Sequence, residues 1–170
     1  LGDYKGAIQD YTKAIEIDPN YVDAYNNRGI TYNNRGLAND NLEDHYEAIS
    51  DCGTAIEIDP EYANAYSCLG EAKSFLGRYE SAIKDYSKAI KLDSKSSYYY
   101  LLRGDANVEI EEYFDAINDY RKAIELDPNN SLAYNNRGLA KYYLEDYKGA
   151  IEDYTKAIKV DPEYLSLIHI

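Results

Sequence analysis

Residues 116–128 read Ala-Ile-Asn-Asp-Tyr-Arg-Lys-Ala-Ile-Glu-Leu-Asp-Pro, and residues 150–162 read Ala-Ile-Glu-Asp-Tyr-Thr-Lys-Ala-Ile-Lys-Val-Asp-Pro. The same run starts at Ala7, Ala48 and Ala82, so successive starts lie 41, 34, 34 and 34 residues apart. In each copy two alanines stand seven apart, as Ala116 and Ala123 do. Seven residues is nearly two helical turns, so both fall on one face, where small side chains let another helix approach closely. Between them lies a ring, Tyr11, Tyr86, Tyr120 or Tyr154, with Cys52 the exception. The isoleucines that follow each alanine complete an apolar stripe of helical period. Asp-Pro, or Asp93-Ser94, closes the run, because proline cannot continue a helix but suits the start of the next.

Between these runs lies a second one, clearest from Tyr134 onward, whose glycines Gly36, Gly70, Gly104 and Gly138 are again 34 apart. Each repeat is therefore two amphipathic helices, A and B, joined by short turns. On helix B, Asp10, Asp85, Asp119 and Asp153 stand three residues before Lys13, Lys88, Lys122 and Lys156. Such pairs would solvate that helix at about a few tenths of a kcal/mol each. Arg28, Arg35, Arg103 and Arg137 precede the helix A glycines. With Asp51, Asp85, Asp119 and Asp153 they predict structural Arg–Asp pairs between neighbouring helices in preference to a phosphate site, although Leu69 breaks the series.

The chain resembles the tetratricopeptide repeat family. The period of 34, the small residue of helix A (Gly70, Gly104, Gly138) and the helix B signature Ala116, Tyr120, Ala123, Pro128 carry the likeness, as do Ala150, Tyr154, Ala157, Pro162 and the helix A aromatics Tyr25, Tyr66, Tyr100 and Tyr134. Arg28, Arg103 and Arg137 depart from a position where the family often has leucine. The resemblance implies an all-α, right-handed superhelical solenoid of antiparallel helix pairs. One array over 1–164 is expected: a partial repeat at 1–19 with helix B alone, then repeats at 20–60, 61–94, 95–128 and 129–162.

The first interval is seven residues longer than the rest because residues 25–29 and 32–36 both read Tyr-Asn-Asn-Arg-Gly. A heptad returns nearly the same helix face. The first copy has the right spacing from Pro19 and the second the right spacing to Ala48, so a long helix A over about 21–42 is predicted. A bulged loop around Asn39-Asp40-Asn41 is the alternative. Both ends read as cut. Leu1-Gly2-Asp3-Tyr4 matches the end of a helix A at 144–147, no methionine is present, and residues 165–170 match no repeat. That tail, His169 included, reads as the translation of a library adapter and is expected to be non-native. Open helix faces at the two ends predict self-association.

Composition narrows function. With 18 Lys+Arg against 31 Asp+Glu the net charge is −13, which argues against nucleic acid, whose phosphates need clustered cations. No run approaches the roughly 20 apolar residues of a membrane span. Two cysteines make neither a disulfide framework nor a structural zinc site. Cys52 and Cys68 are expected as reduced, partly buried thiols. His45, which replaces the tyrosine of Tyr79, Tyr113 and Tyr147, is a packing position and not a base. Tyr98-Tyr99-Tyr100 is expected half in the core and half on the surface. No nucleophile–base pair, phosphate loop or metal set is visible, so the expectation is no enzyme, no catalytic residue, no metal and no cofactor.

The family resemblance places ligands along helices A. The facing positions are Asn64, Ser67, Glu71, Ser74 and Phe75; then Tyr98, Leu101, Asp105, Val108 and Glu109; then Leu132, Asn135, Leu139, Tyr142 and Tyr143. This mixture of amides, rings, aliphatics and carboxylates would suit an extended peptide, preferably one with Lys or Arg. The alternative is a solvated face with no ligand. The family's carboxylate clamp is not expected, since Asn64, Ser67, Glu71 and Leu102 supply no cation, and an asparagine ladder is broken by Cys68 and Leu102. The expected function is a protein–protein interaction scaffold in the cytoplasm. The alternatives are a substrate-recruiting arm of a larger enzyme or an oligomerisation segment.

Overall fold

A computed structural model describes residues 2–162; Leu1 and residues 163–170, with the expected tail, lie outside them. The described residues form helices α1 (Tyr4–Ile17), α2 (Val22–Asn39), α3 (Leu42–Ile58), α4 (Ala63–Phe75), α5 (Tyr79–Leu92), α6 (Ser97–Glu109), α7 (Tyr113–Leu126), α8 (Ser131–Tyr143) and α9 (Tyr147–Val160), and no strand. The odd-numbered helices are the B helices and the even-numbered ones the A helices. They gather into two compact units, Leu1–Ser94 and Lys95–Ile170. In unit 1 the pairs α2–α3 and α4–α5 pack tightly, with α1 against α2 and α3 against α4; in unit 2 α6–α7 and α8–α9 pair, and α7 lies against α8.

The Asp-Pro junction is more than a stop. Each B helix ends on an aspartate in extended conformation, as at Asp59 and Asp127. That is the backbone a residue before proline prefers. The carboxylates of Asp18, Asp59 and Asp127 accept the N–H two residues on, at 3.0, 2.9 and 3.1 Å, closing an Asx turn that aims the chain into the next A helix.

The alanine stripe is the core: Ala82, Ala89, Ala116 and Ala123 are fully buried. Tyr120 lies flat on Gly104, where a Cβ would stand 2.7 Å from the ring, and Tyr86 and Tyr154 meet Gly70 and Gly138 in the same way. Glycine is required at these sites by close approach.

The inserted heptad is divided between two helices. The expected long helix A is unbroken past Gly36, but it ends at Asn39 and not at residue 42. Asp40 takes a left-handed conformation (φ 52°), and the Asn41 side chain caps α3 by accepting the Glu43 N–H. Helix α3 thus begins three residues before His45. Helices α2 and α3 have 18 and 17 residues against 13 and 14 in α4 and α5, and the turn between them is one residue shorter. The pairing also differs from expectation. The first heptad, not the second, meets the Ala48 frame: Arg28 donates to Asp51 at 2.7 and 2.8 Å, and reaches Thr12 on α1 at 2.9 Å. The second heptad builds a new layer, in which Arg35 donates to Asp44 at 2.7 and 2.6 Å and Gly36 faces the His45 ring.

The cysteines are not reduced thiols. Cys52 and Cys68 form a disulfide with Cα atoms 6.1 Å apart, within bonding reach, and both are buried. Gly29 makes the room, since a Cβ there would stand 2.6 Å from the Cys52 sulfur. The cystine occupies the place that Tyr86 fills over Gly70.

His45 packs as expected. Its ring stacks on Phe75 at 4.8 Å. Asn33 Nδ2 donates to the Cys68 carbonyl, so Asn33 Oδ1 is left to accept from His45 Nδ1 at 3.2 Å. Burial pushes the imidazole below its usual value of 6.5, with Asp44 opposing. A base whose pKa falls on folding gives stability that is present above the unfolded value and lost as pH falls. Unit 1 is therefore expected to lose stability as pH drops below about 6.5, and His45→Phe to remove that slope; urea midpoints measured across pH check it.

Candidate functional site

In unit 2 Arg103 donates to Asp119 at 2.9 and 2.6 Å, and Arg137 to Asp153 at 2.8 and 2.5 Å. The hydrogen bond to Asp119 pushes the Arg103 guanidinium above its usual range. Each arginine also lies over the ring three residues earlier, Tyr100 or Tyr134. Where Leu69 replaces the arginine, Lys73 donates to Asp85 at 2.6 Å. Its equivalents also reach the aspartate: Asn107 donates to Asp119 at 3.1 Å and Lys141 pairs with Asp153 at 2.7 Å. This second donor was visible as a 34-residue spacing of 73, 107 and 141, but no signature residue marks it.

The expected Asp–Lys pairs along helix B are mostly replaced by these bonds. Asp10–Lys13 forms at 3.7 Å on the surface. Asp85, Asp119 and Asp153 instead face the A helix, and Lys88 and Lys156 lie over Tyr66 and Tyr134. Lys122 turns to Glu125 at 2.9 Å. For Asp119 and Asp153 bidentate arginine is the stronger partner.

Burial opposes ionisation of Asp153, yet hydrogen bonds from Arg137 and Lys141 hold its carboxyl below the usual carboxylate range. Asp153→Ala leaves two cations side by side, each about a fifth exposed. Removing one partner of a fully buried pair costs roughly 3–5 kcal/mol, and this exposure brings the expected loss below that range, to about 2–3 kcal/mol. Urea unfolding checks it.

The helix A positions separate by burial. In unit 1 Asn64 and Phe75 are exposed, Glu71 is half-buried, and Ser67 is buried with its hydroxyl donating to the Asn64 carbonyl at 2.9 Å. In unit 2 Leu101 belongs to the core with Tyr120 and Ala116. Tyr98 is exposed above a buried Tyr99, dividing that tyrosine run as expected. Asp105 is a strut: it accepts from the Tyr120 hydroxyl at 2.7 Å and from Asn136 Nδ2 at 2.8 Å, joining α6, α7 and α8. Burial raises its pKa against both hydrogen bonds.

In unit 2 the accessible positions besides Tyr98 lie on α8 and at the turns. Glu109 is exposed, Asn135 and Leu139 are half-buried, and Tyr142 and Tyr143 are about half exposed. Two rings from packing positions of the B helices, Tyr113 and Tyr147, join them. Tyr143 stacks on Tyr113 at 5.0 Å, and Tyr142 meets Tyr143 and Tyr147 edge-on at 6.1 and 5.5 Å. Among the described residues no group of three His, Cys, Asp or Glu could hold a metal ion, and no helix is long and apolar enough to cross a membrane.

Family models agree with the repeat pattern. One described as TPR repeat matches residues 1–38 and 104–144, and two described as tetratricopeptide repeat match residues 63–96 and 131–164, and residues 29–62. No curated protein matches the chain. Among solved structures, MamA is 28% identical with a TM-score of 0.81, over 97% of this chain and 92% of that one. The TPR domain of Arabidopsis OM64 is 31% identical with a TM-score of 0.59, over 61% of this chain and 85% of that one. YrrB, described as a TPR protein with an unusual peptide-binding site, is 22% identical with a TM-score of 0.74, over 96% of this chain and 80% of that one, a likeness of fold.

Proposed function

The chain belongs to the tetratricopeptide repeat family, and from that premise we propose that it is a protein–protein interaction scaffold that holds an extended peptide along its helix A faces. The observation that carries this reading is the strip on α8. Leu132, Asn135, Leu139, Tyr142 and Tyr143 follow one another at helical spacing, and none of them is buried. An amide among aliphatics and rings is the mixture that binds peptide backbone and side chains together. The same fold carries a peptide-binding site in YrrB. The net charge of −13 favours a basic partner.

The test is selection from a displayed random-peptide library. Peptides are expected to be enriched, and Leu139→Asp and Asn135→Ala to weaken them by about tenfold each with helix content unchanged. Enriched peptides indifferent to both substitutions, or no enrichment, would overturn the reading.

A further inference from the structure

The two units repeat the same corner with opposite charge. A shift of 68 residues, two repeats, carries His45 to Tyr113, Phe75 to Tyr143, Tyr46 to Phe114 and Arg78 to Asp146. The stack is kept: His45 lies on Phe75 at 4.8 Å in unit 1, and Tyr113 on Tyr143 at 5.0 Å in unit 2. In unit 1 the neighbouring ring, Tyr46, is 51% exposed and already carries the chain's own cation. The Arg78 guanidinium lies 5.5 Å from the Tyr46 centroid and donates to its hydroxyl at 3.2 Å. In unit 2 the equivalent ring, Phe114, is 72% exposed, and a carboxylate stands at the cation's place in the register. Asp146 accepts the Gly149 N–H as the cap of α9, but forms no ion pair among the described residues. Tyr142 and Tyr147 extend the rings, both about half exposed. None of the cation–ring pairs among the described residues falls on this group, although Arg28, Arg35, Arg103 and Arg137 each lie over a tyrosine elsewhere.

We propose that this corner of unit 2 is a docking site for an arginine side chain of a partner polypeptide, seated against the Phe114 and Tyr113–Tyr143 rings and paired with Asp146. A guanidinium suits it because it can lie flat on rings and bond a carboxylate at once. Glu109, Glu111, Glu112 and Glu145 add carboxylates in the flanking sequence, against Lys148, while Lys141 is paired with Asp153. The partner enters with the charge that unit 1 supplies from within. The inference rests on the scaffold reading and names the chemistry of the partner.

The experiment measures binding of three labelled twelve-residue Gly-Ser peptides to the full chain by fluorescence anisotropy at 0.15 M salt, where diffuse attraction is screened. One peptide carries three arginines, the others glutamine or lysine in their place. The arginine peptide is expected to bind, the glutamine peptide not, and the lysine peptide more weakly. Phe114→Ala and Asp146→Asn, which retains a capping side chain, are each expected to weaken the arginine peptide by about tenfold, and Asp146→Arg to abolish binding by covering the rings from within. Glu16→Arg, on the surface of α1 with the same charge change as Asp146→Arg, is expected to leave binding unchanged. Equal loss with Glu16→Arg would show diffuse attraction and overturn the site, as would no binding of the arginine peptide at millimolar concentration. Library peptides that depend on Leu139 while the arginine peptide fails would overturn this site and leave the scaffold reading standing.

Discussion

Tyr120→Ala is expected to lower the stability of unit 2 by about 3–5 kcal/mol, the range for deleting a large buried ring. Tyr120 is 1% exposed, packs on Gly104, and lies in the cluster of Leu101, Ala116, Ala123, Ala133 and Ala140. The fully buried neighbours are alanines except for Leu101, and they have no reach to close the cavity; the larger Tyr100, Val108, Tyr113, Ile117 and Ile124 pack at its edge. Its hydroxyl is one of the two donors that hold the Asp105 carboxylate. Tyr120→Phe separates these contributions: the ring remains, and the expected loss is about 1–2 kcal/mol. It also changes pH dependence. Burial already raises the Asp105 pKa above 3.8, so the folded state keeps this proton to higher pH than the unfolded state. Stability must then fall as pH rises through the window from 3.8 upward, and loss of a donor to the carboxylate widens that window. Urea unfolding followed by circular dichroism, with amide exchange in α6–α8, measures both. A loss below about 1 kcal/mol for Tyr120→Ala would mean that the ring does not hold these helices together.

Reduction of Cys52–Cys68 is expected to lower the stability of unit 1 by about 3 kcal/mol. The bond closes a sequence separation of 16 residues, and a loop of about that length loses roughly this much denatured-state entropy when cross-linked. The urea midpoint of unit 1 should fall with dithiothreitol, and a Cys52→Ala, Cys68→Ala double variant should match the reduced protein and ignore the reductant. Thiol titration of the unreduced, urea-unfolded chain should find no free thiol. Two thiols per chain in that assay would remove the basis of the prediction.

The parts of the fold that repeat were legible in the sequence, because repetition reports packing. Ala116, Tyr120 and Ala123 recur where a glycine and a ring must meet, and Arg137 recurs where Asp153 needs a donor. The parts set by a single local event were not. Whether a heptad lengthens one helix or two depends on where the turn falls, and that is set by left-handed Asp40 and the Asn41 cap. Lys73 replaces the missing arginine at Leu69 from one turn further along α4, a direction that a list of signature residues does not contain. The cysteines required a distance between α3 and α4, which their places eight residues either side of Pro60 suggest but do not give. In the candidate site, counting along helix A found Tyr142 and Tyr143. It could not find Tyr113 and Tyr147, because these belong to B helices and come into contact only through the turns. Asp105 was counted as open to a ligand because its position faces the same way as its neighbours; its two hydrogen bonds are a matter of reach.

The divided heptad governs how this hairpin can change length over generations. Seven residues turn a helix to within about 20° of where it began. An in-frame duplication of that size brings Arg35 and Gly36 opposite Asp44 and His45 and leaves Arg28 on Asp51. An insertion one residue shorter or longer would swing the new layer by roughly 100° and aim its arginine into solvent. Length is therefore inherited here in discrete steps, each of which arrives with its own arginine and its own glycine, to be met by residues such as Asp44 and His45. Copying errors of other sizes would have to be absorbed in the turn at Asp40 and Asn41.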